Sequence, residues 1–488
     1  MRSGAPGVAA LALGAALLAV PVAAAPLEWH PCWLRGLVHE ARCGHLLRPL
    51  DPAQPGGRQI EIHVAVVPAL ARQSAADPVF FFAGGPGQSA IELAGPLASR
   101  FPRLSNRRDL VFVDQRGTGR SAPLRCPDDD EAAAWQPLQD TPQRVARIAS
   151  CREALQRLPH GDLRQYTTTI AMADVDAVRA ALGAERIDAV GFSYGTRAVR
   201  EYLRLFPQRL RRVVLDGVVP PDLLLPRSAA ADNQAALEAV FDACARERAC
   251  AMRHPALRAL WQALLAGTPH ELRLTHPLSG RPQSLVMTRE LLLGLVRAPL
   301  YSPALAAALP QAIGDAAAGR WQALLGLSSA LGSGGVSASG MHFSVVCAED
   351  QPRVEALPDR AASSVESADG ISGVYRDVCA HWPRGAVPAN FYTIPPAPVP
   401  VLLLSGGVDP VTPPRHAARA AQALGPKARH LVVAQAGHGV LALACVRDAA
   451  TRFITAADDA EALAVDLGCA AGVPRPPAFV PPGIGADG

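Results

Sequence analysis

A serine flanked by glycines is the first feature of this chain that could do covalent chemistry. Residues 191–195 have the pattern G-x-S-x-G, which follows an apolar, β-type run at residues 187–190 and precedes a helical pattern at residues 196–203. A sharp turn between a strand and a helix lifts such a serine above the sheet, where a base and a substrate can reach it. The glycines matter because residues without Cβ let the strand and the helix pass close together. We therefore predict that Ser193 is a nucleophile.

A serine hydroxyl attacks well only when a base removes its proton and an acid orients that base. His438 follows an apolar run at residues 430–433, and Asp409 follows another at residues 401–404. This chain order, with each residue at the end of a strand, is typical of a catalytic triad on an open α/β sheet. We predict that His438 is the base and that Asp409 is the acid.

Other interpretations of these two residues stay open. An aspartate before a proline is common in turns, so Asp409 could serve only as a turn or helix-cap residue. Asp216, which ends another strand-like run, is the competing acid. His438 could be an ordinary loop histidine between two glycines. A comparable position at the end of a strand is lacking for His342, His381 and His416.

Acyl transfer also needs two backbone N–H groups that face the developing negative charge. One normally comes from the residue after the nucleophile, which is Tyr194 here. The second is expected in the glycine-rich loop at residues 82–87, which follows an early strand-like run. We predict Gly85 as this donor, with Gly84 as the second choice. The alternative for the loop is an ordinary Gly-Pro turn.

The composition limits the classes of protein to which the chain can belong. It has 488 residues, of which 49% are hydrophobic and 18% charged, and this indicates a folded protein. The net charge of +4 is spread along the chain without a basic block, so we expect no nucleic-acid partner. No Cys or His cluster has the spacing of a zinc site, and we expect neither a metal nor an organic cofactor.

The N-terminus has the pattern of a secretory signal peptide. Arg2 precedes an apolar stretch at residues 8–20 that is too short to span a bilayer, and residues 22–24 fit cleavage after a small residue. We predict a signal peptide at residues 1–24, with an uncleaved anchor as the alternative. The mature protein is then expected to be secreted or periplasmic and free of the membrane.

Ten cysteines follow this segment. Their even number, together with an oxidising compartment, predicts disulfides. The simplest connectivity joins neighbours in the sequence: Cys32 with Cys43, Cys126 with Cys151, Cys244 with Cys250, Cys347 with Cys379, and Cys445 with Cys469. The sequence alone leaves other pairings open.

Strand-like and helical patterns alternate through the first part of the chain. Apolar runs predict strands at residues 59–67, 78–82, 109–113 and 212–216, and residues 174–182 have a helical pattern. Buried parallel strands are expected to look like such short apolar runs. The alternation predicts the α/β class, with a doubly wound and mostly parallel sheet.

The pattern changes after the strand that ends at Asp216. Amphipathic helical segments replace the alternation, and strand-like runs return only near residue 400. The length of the chain suits a large α/β domain that carries an insertion. We predict a first core part at residues 25–222, an inserted and mainly helical cap at residues 223–392, and a second core part at residues 393–488.

Five motifs occur in an order that resembles a known family. They are G-G-P-G at 84–87, D-Q-R-G-T-G-R-S at 114–121, G-F-S-Y-G at 191–195, G-V-D-P-V-T-P at 407–413 and G-H-G at 437–439. Together they resemble the α/β-hydrolase peptidases of the prolyl aminopeptidase and tripeptidyl aminopeptidase family, and the secreted, cysteine-containing tripeptidyl type is the nearer match. The resemblance implies an α/β-hydrolase fold and a serine exopeptidase that acts at free peptide N-termini. It also implies that Ser193, Asp409 and His438 form the triad.

Two features depart from the family pattern. Many relatives have histidine where Ala83 stands, and the cap lacks the Glu-Asn motif with which prolyl aminopeptidases bind the amino group of the substrate. The proline-specific interpretation is therefore weakened. Glu349 and Asp350 are the candidates for binding the terminal ammonium, because a partly buried carboxylate pairs strongly with it. The alternative is that both are structural or surface carboxylates.

The expected partners are therefore peptides with a free N-terminus, and the expected oligomeric state is a monomer. An esterase or another small-molecule acyl hydrolase would use the same triad and stays open. A non-catalytic binding protein on the same fold is a third possibility, and the complete motif set argues against it. In the second motif, Asp114 and Arg116 are expected to hold the turn beneath the site.

Overall fold

The computed structural model describes residues 27–75, 77–126, 141–225, 227–275, 280, 282–330, 337–357 and 371–481. The predicted signal peptide at residues 1–24 lies outside the described residues. The strands are β1 His30–Cys32, β2 Ala41–Pro49, β3 Gln59–Val67, β4 Val79–Phe82, β5 Leu110–Val113, β6 Ile187–Phe192, β7 Leu210–Asp216, β8 His270–Thr275, β9 Pro282–Met287, β10 Val401–Gly406 and β11 Ala428–Val433.

Nine of these strands form one sheet in the order β1-β2-β3-β5-β4-β6-β7-β10-β11, and β8 and β9 form a separate hairpin. The three pairings from β1 to β5 are antiparallel, and the five pairings from β5 to β11 are parallel. The prediction of a mostly parallel α/β sheet is therefore confirmed. The parallel arrangement brings the carboxyl ends of β4, β6, β7, β10 and β11 to one edge of the sheet.

Helices cover both faces of the large sheet, and some of them enclose a separate core. They are α1 Ala94–Arg100, α2 Pro102–Arg107, α3 Thr141–Gln156, α4 Thr168–Ala181, α5 Tyr194–Leu205, α6 Arg227–Arg246, α7 Arg248–Arg253, α8 Leu257–Ala266, α9 Arg289–Leu300, α10 Pro303–Ala306, α11 Leu309–Ala317, α12 Gln322–Ser329, α13 Ser339–Glu349, α14 Gln351–Glu355, α15 Ile371–Cys379, α16 Pro414–Leu424, α17 Ala444–Thr455 and α18 Asp459–Leu463.

Strand β4 shows why the central strands are apolar at every position. Phe80 packs in a core with Val175 of α4 and Val199 of α5, whereas Phe81 packs in a second core with Phe453 of α17. Successive side chains of a strand point to opposite faces, and both faces are covered by helices here. The continuous apolar run at these residues follows from that double burial.

The helices between β7 and β10 pack in two ways. Those from α6 to α12, with the hairpin, enclose a core of their own around the buried side chains of Trp261 and Ile313. In contrast, α13 and α15 contribute Val345 and Val374 to the core on one face of the large sheet. The segment at residues 223–392 is mainly helical where it is described, and its later part packs on the sheet itself.

All ten cysteines are paired as neighbours in the sequence. The five disulfides are Cys32–Cys43, Cys126–Cys151, Cys244–Cys250, Cys347–Cys379 and Cys445–Cys469. The predicted connectivity is therefore confirmed. In the part of the chain that is described, no helix has the length and apolar character needed to cross a membrane.

Candidate active site

The turn after β6 holds Ser193 in a conformation that L residues seldom adopt. Its φ is 52° and its ψ is −122°, and it leads directly into α5. A positive φ at a residue with a side chain stores strain, and such positions cluster at functional sites. The strand, turn and helix that the sequence predicts around this serine are confirmed.

Close backbone contacts explain the glycines on either side of the turn. A Cβ on Gly195 would lie 2.1 Å from the carbonyl oxygen of Phe82, and one on Gly191 would lie 2.7 Å from that of Gly195. Real Cβ atoms do not approach backbone oxygens so closely. A larger residue at Gly195 would push the turn away from β4, and one at Gly191 would push the start of α5 away from β6; either change would displace the serine between them.

Asp409, in the loop after β10, uses both carboxylate oxygens. Oδ1 accepts hydrogen bonds from the backbone N–H groups of Val411 at 2.9 Å and Thr412 at 2.8 Å. Oδ2 accepts one from the Thr412 hydroxyl at 2.6 Å and lies 2.7 Å from Nδ1 of His438. One oxygen therefore shapes the turn while the other orients the histidine. Thr412, which no sequence pattern indicated, donates a hydrogen bond to each of the two oxygens.

Asp409 and His438 stabilise each other's charged forms. Burial would raise the pKa of Asp409, but the charge of His438 and the hydrogen bonds from His438 and Thr412 lower that pKa below its usual value. Burial likewise lowers the pKa of His438, while the charge and hydrogen bond of Asp409 outweigh burial and raise it. Because a carboxylate can only accept, Nδ1 carries the proton and Nε2 is left to accept another.

Asp216, the competing acid, joins the serine turn to the histidine loop. Its carbonyl oxygen accepts the N–H of Ser193 at 2.8 Å. Its carboxylate accepts the N–H groups of Val440 at 3.0 Å and Leu441 at 2.9 Å, directly after His438. Burial raises the pKa of this carboxyl to about 6. The end of β7 therefore links the two reactive residues, and the acid that contacts the histidine ring is Asp409.

Tyr301, at the C-terminal end of α9, packs against His438. The two rings lie edge to face with their centroids 5.2 Å apart. The Tyr301 carbonyl oxygen accepts the N–H of His438 at 3.0 Å, and a Cβ on Gly437 would lie 2.4 Å from that oxygen. This contact explains the glycine before His438. The helical sequence around Tyr301 carries no pattern that would have predicted it.

The glycine-rich loop after β4 passes beside the nucleophile. A Cβ on Gly84 would lie 3.3 Å from the Cβ of Ser193, and Gly85 has a φ of 107°. Tyr194 is the first residue of α5, where the N–H groups have no partner within the helix. These positions suit an oxyanion hole, and the choice of Gly85 and Tyr194 as its donors stays a prediction.

A histidine from α13 lies at the same loop, where it interacts with the backbone of Pro86. His342 has its Nε2 2.6 Å from the hydroxyl of Tyr375. Burial lowers the pKa of His342 to about 4, although a hydrogen bond with the Pro86 carbonyl oxygen opposes this effect. The ring is therefore neutral near pH 7. No sequence pattern indicated that His342 lies near the site, because this residue does not follow a strand.

The two acidic residues predicted to bind the substrate ammonium are already paired inside the protein. Glu349 and Asp350 are both fully buried. Glu349 accepts hydrogen bonds from the N–H of Thr168 at 2.7 Å and from its hydroxyl at 3.0 Å, and Asp350 accepts two from Arg197 at 3.0 Å each. This arrangement favours the structural alternative, and the ammonium-binding role stays a prediction. Desolvation without such partners would be costly for both carboxylates.

Asp114 and Arg116 hold the turn after β5. Asp114 accepts hydrogen bonds from the hydroxyl of Ser89 at 2.7 Å and from the N–H of Arg120 at 3.2 Å. The Arg116 guanidinium makes a two-point contact with Asp174, at 2.7 and 3.0 Å. These contacts agree with the positioning role expected for both residues.

The arrangement has the parts needed for acyl transfer. Ser193 supplies a nucleophile, His438 has a nitrogen available as a base, and Asp409 fixes the orientation of that base. The residues described here contain no group of three or more His, Cys, Asp or Glu side chains that could hold a metal ion.

Known proteins give independent comparisons. The model of the alpha/beta hydrolase fold family matches residues 77–443. Serine protease Hip1 of Mycobacterium tuberculosis (strain ATCC 25618 / H37Rv) is 27% identical over 434 residues, which cover 82% of this chain and 83% of that protein. The tripeptidyl aminopeptidase of Streptomyces coelicolor is 32% identical over 224 residues, or 43% of this chain and 41% of that protein.

A third relative is named for ester hydrolysis. Carboxylesterase B of Mycobacterium tuberculosis (strain ATCC 25618 / H37Rv) is 29% identical over 249 residues, which cover 47% of each chain. The family match extends over more than half of the sequence and includes all three candidate catalytic residues. The chain therefore belongs to the family of proteins with the α/β-hydrolase fold.

Proposed function

We propose that this protein is a serine exopeptidase that acts on free peptide N-termini through an acyl-enzyme. Short peptides, tripeptides first among them, or single residues would be released. The observation that carries the proposal is the 2.7 Å contact between Nδ1 of His438 and Oδ2 of Asp409, at the sheet edge where the strained turn presents Ser193. A relative matched over 82% of this chain is named a serine protease, and this supports hydrolysis of the peptidase type.

The reaction would proceed in two steps. The hydroxyl oxygen of Ser193 attacks the scissile carbonyl carbon, and Nε2 of His438 takes the hydroxyl proton. The N–H groups of Tyr194 and Gly85 would stabilise the oxyanion. His438 then gives its proton to the leaving amine, and the acyl group stays on the serine. Water attacks this ester in the second step, with His438 again as the base.

Specificity for tripeptides is the finer part of the proposal. It is supported by the name of the Streptomyces relative and by the family motifs around the nucleophile. That relative matches less than half of this chain, so the number of residues released is left to experiment. With Glu349 and Asp350 paired inside the protein, the group that binds a substrate ammonium is not assigned.

An esterase is the second candidate function. The match to a carboxylesterase over 47% of the chain favours it, and the same triad would hydrolyse an ester. The two candidates differ in one requirement. An aminopeptidase needs a free substrate amine, whereas a general esterase does not.

The test compares free and N-blocked substrates. Purified mature protein would be given Ala-Ala-Pro-anilide, the same compound with an acetylated amine, Pro-anilide and a p-nitrophenyl ester. The proposal expects release of the aniline from the free tripeptide and loss of that release on acetylation. Turnover of the ester alone, with no effect of an amine, would replace the peptidase by the esterase.

We also propose that the mature protein is secreted or periplasmic and that it is a monomer. Five disulfides support an oxidising compartment, because such bonds are rare in the cytosol. Mass spectrometry of protein from the periplasm or medium would find an N-terminus at residue 25. Light scattering would give the oligomeric state, and a larger particle would contradict the monomer.

A further inference from the structure

Five side chains near the catalytic residues take no part in the chemistry proposed above. We call them the arginine–tyrosine cluster: Arg144, Arg297, Tyr301, His342 and Tyr375. All five are half-buried. They come from α3, from α9 and its C-terminal end, from α13 and from α15. Segments far apart in the sequence therefore meet at one place beside the reaction centre.

The cluster has contacts with both parts of the catalytic apparatus. Tyr301 packs against the ring of His438, with 5.2 Å between centroids. His342 hydrogen-bonds to Tyr375 at 2.6 Å and interacts with the carbonyl of Pro86 in the glycine-rich loop. A substrate group in contact with the cluster would therefore lie within a few bonds of the scissile carbonyl.

Arg297 lies at the centre of the cluster. It precedes Tyr301 by four residues, a spacing that places both side chains on one face of α9. Its guanidinium hydrogen-bonds to the Tyr301 side chain, and its positive charge also acts on Tyr375 and His342. Arg144 reaches the same place from α3, which packs against the helix of Tyr375.

The charge of these two arginines is not neutralised by the residues that the structure describes. No described carboxylate lies within ion-pair distance of Arg144 or Arg297, and Arg144 is near Arg297 and Arg147. Burial and these two neighbours lower the pKa of Arg144. The carboxylates that influence the tyrosines, Asp409 and Asp350, are already held by His438 and Arg197.

Two buried arginines elsewhere in the chain have structural contacts only, and each is paired with an aspartate. Arg116 makes a two-point contact with Asp174, and Arg197 makes one with Asp350. For Arg144, burial and the neighbouring positive charge of Arg297 disfavour the charged form. Neither Arg144 nor Arg297 has the two-point carboxylate contact of the structural arginines, so both guanidinium groups have donors to offer to a ligand.

The chemistry of the cluster selects one kind of partner. Guanidinium groups only donate, the tyrosine hydroxyls can donate as well, and His342 is neutral near pH 7. The planar fork of an arginine matches the two oxygens of a carboxylate. We propose that Arg144 and Arg297 bind a substrate carboxylate next to the scissile bond. This inference rests on the proposed function and adds the substrate class to it.

Two sources could supply that carboxylate, and matched substrate pairs distinguish them. Ala-Ala-Glu-anilide against Ala-Ala-Gln-anilide tests an acidic side chain on the acyl side. Tetra-alanine as the free acid against its C-terminal amide tests the carboxylate of the leaving residue. For at least one pair, we expect the wild-type kcat/KM to favour the carboxylate by roughly tenfold to a hundredfold, the range for hydrogen bonds to charged groups.

Arginine variants then locate the binding groups. Arg297→Gln and Arg144→Gln should each bring the preferred ratio of kcat/KM close to one, because both members of a pair are compared on the same variant. Arg297→Lys keeps the charge but loses the fork, and it should retain part of the preference. Arg258→Gln is the control, because Arg258 is exposed and pairs with Glu238 and Asp242 on the outside of the inserted segment.

A fluorophosphonate that labels Ser193 would give the fraction of folded enzyme in every sample. Equal rates for both members of both pairs in the wild type would overturn the carboxylate site. A preference that survives in both glutamine variants would overturn it as well. If none of the peptides is cleaved, the proposed function fails first. The cluster is then tested with p-nitrophenyl butyrate against mono-p-nitrophenyl succinate, on the same variants.

Discussion

The catalytic set, Ser193, Asp409 and His438, and the arginine–tyrosine cluster lie next to each other and are built in different ways. Each member of the catalytic set follows a strand of the sheet, and the parallel strands bring all three residues to one edge. The cluster lies on helices: α3, α13 and α15 pack against one another, and α9 supplies Arg297 and Tyr301. Short patterns at strand ends therefore mark the catalytic set in the sequence, whereas the members of the cluster meet only through tertiary packing.

The largest effect should come from the nucleophile. Ser193→Ala removes the only atom that can form the acyl-enzyme, so kcat should fall by roughly a millionfold. Anilide release by wild type and variant, measured over days where necessary, provides the test. Ser99→Ala, on the exposed side of α1, is the matched control. A variant that kept more than one hundredth of the activity would refute the assignment.

The second-largest effect distinguishes the role of Asp409 from that of Asp216. Asp409→Asn should lower kcat by roughly ten thousandfold, because the amide would favour the wrong tautomer of His438. Asp216→Asn should cost far less activity, since Asp216 contacts backbone N–H groups and not the ring. Single-turnover rates of both variants give the comparison. If Asp216→Asn were the more damaging change, the acid would have been misassigned.

A smaller effect is expected at the buried pair. Glu349→Gln should lower the free energy of unfolding by about 1–3 kcal/mol, because the glutamine NH2 group cannot accept one of the two hydrogen bonds from Thr168. The preference for a free substrate amine should not change. Urea unfolding and the ratio of free to acetylated substrate measure these two properties, with Glu238→Gln as an exposed control. Loss of the amine preference with unchanged stability would restore the ammonium-binding role.

The smallest expected effect is a shift in the pH dependence of kcat/KM. His438 must be neutral to act as the base, and its pKa is raised, so kcat/KM should fall as the pH drops through a value above 6.5. The negative charge of Asp216 contributes to that rise, and Asp216→Asn should therefore move this acid limb to lower pH. Rate profiles of both proteins would show the displacement. If the acid limb moved to higher pH instead, a group other than His438 would control it.

The strand-end positions of Ser193, Asp409 and His438 could be predicted because their signals are short. Ser193 lies between glycines that close backbone contacts require, and Asp409 and His438 each follow an apolar run that becomes a strand. The same local logic gave the parallel strands and the neighbouring disulfide pairs. None of these predictions required knowledge of how distant segments pack.

The cluster and the buried acids could not be predicted in this way. Tyr301 is an ordinary residue at the end of an amphipathic helix, and only the folded chain brings it to His438. Glu349 and Asp350 looked available because their partners, Thr168 in α4 and Arg197 in α5, lie about 180 and 150 residues away. The hairpin of β8 and β9 was missed as well, since its short strands are largely exposed and polar.

The disulfide Cys347–Cys379 gives the cluster a dependence that the catalytic set does not share. It joins α13 to α15 about one helical turn beyond His342 and Tyr375, the residues whose hydrogen bond connects those helices. A variant that lacks only this disulfide, with Cys347→Ser and Cys379→Ser together, should loosen this junction while the strand ends that carry the proposed triad keep their positions. It would then still react with a fluorophosphonate yet discriminate less among substrates, so that one covalent link would set selectivity without setting reactivity.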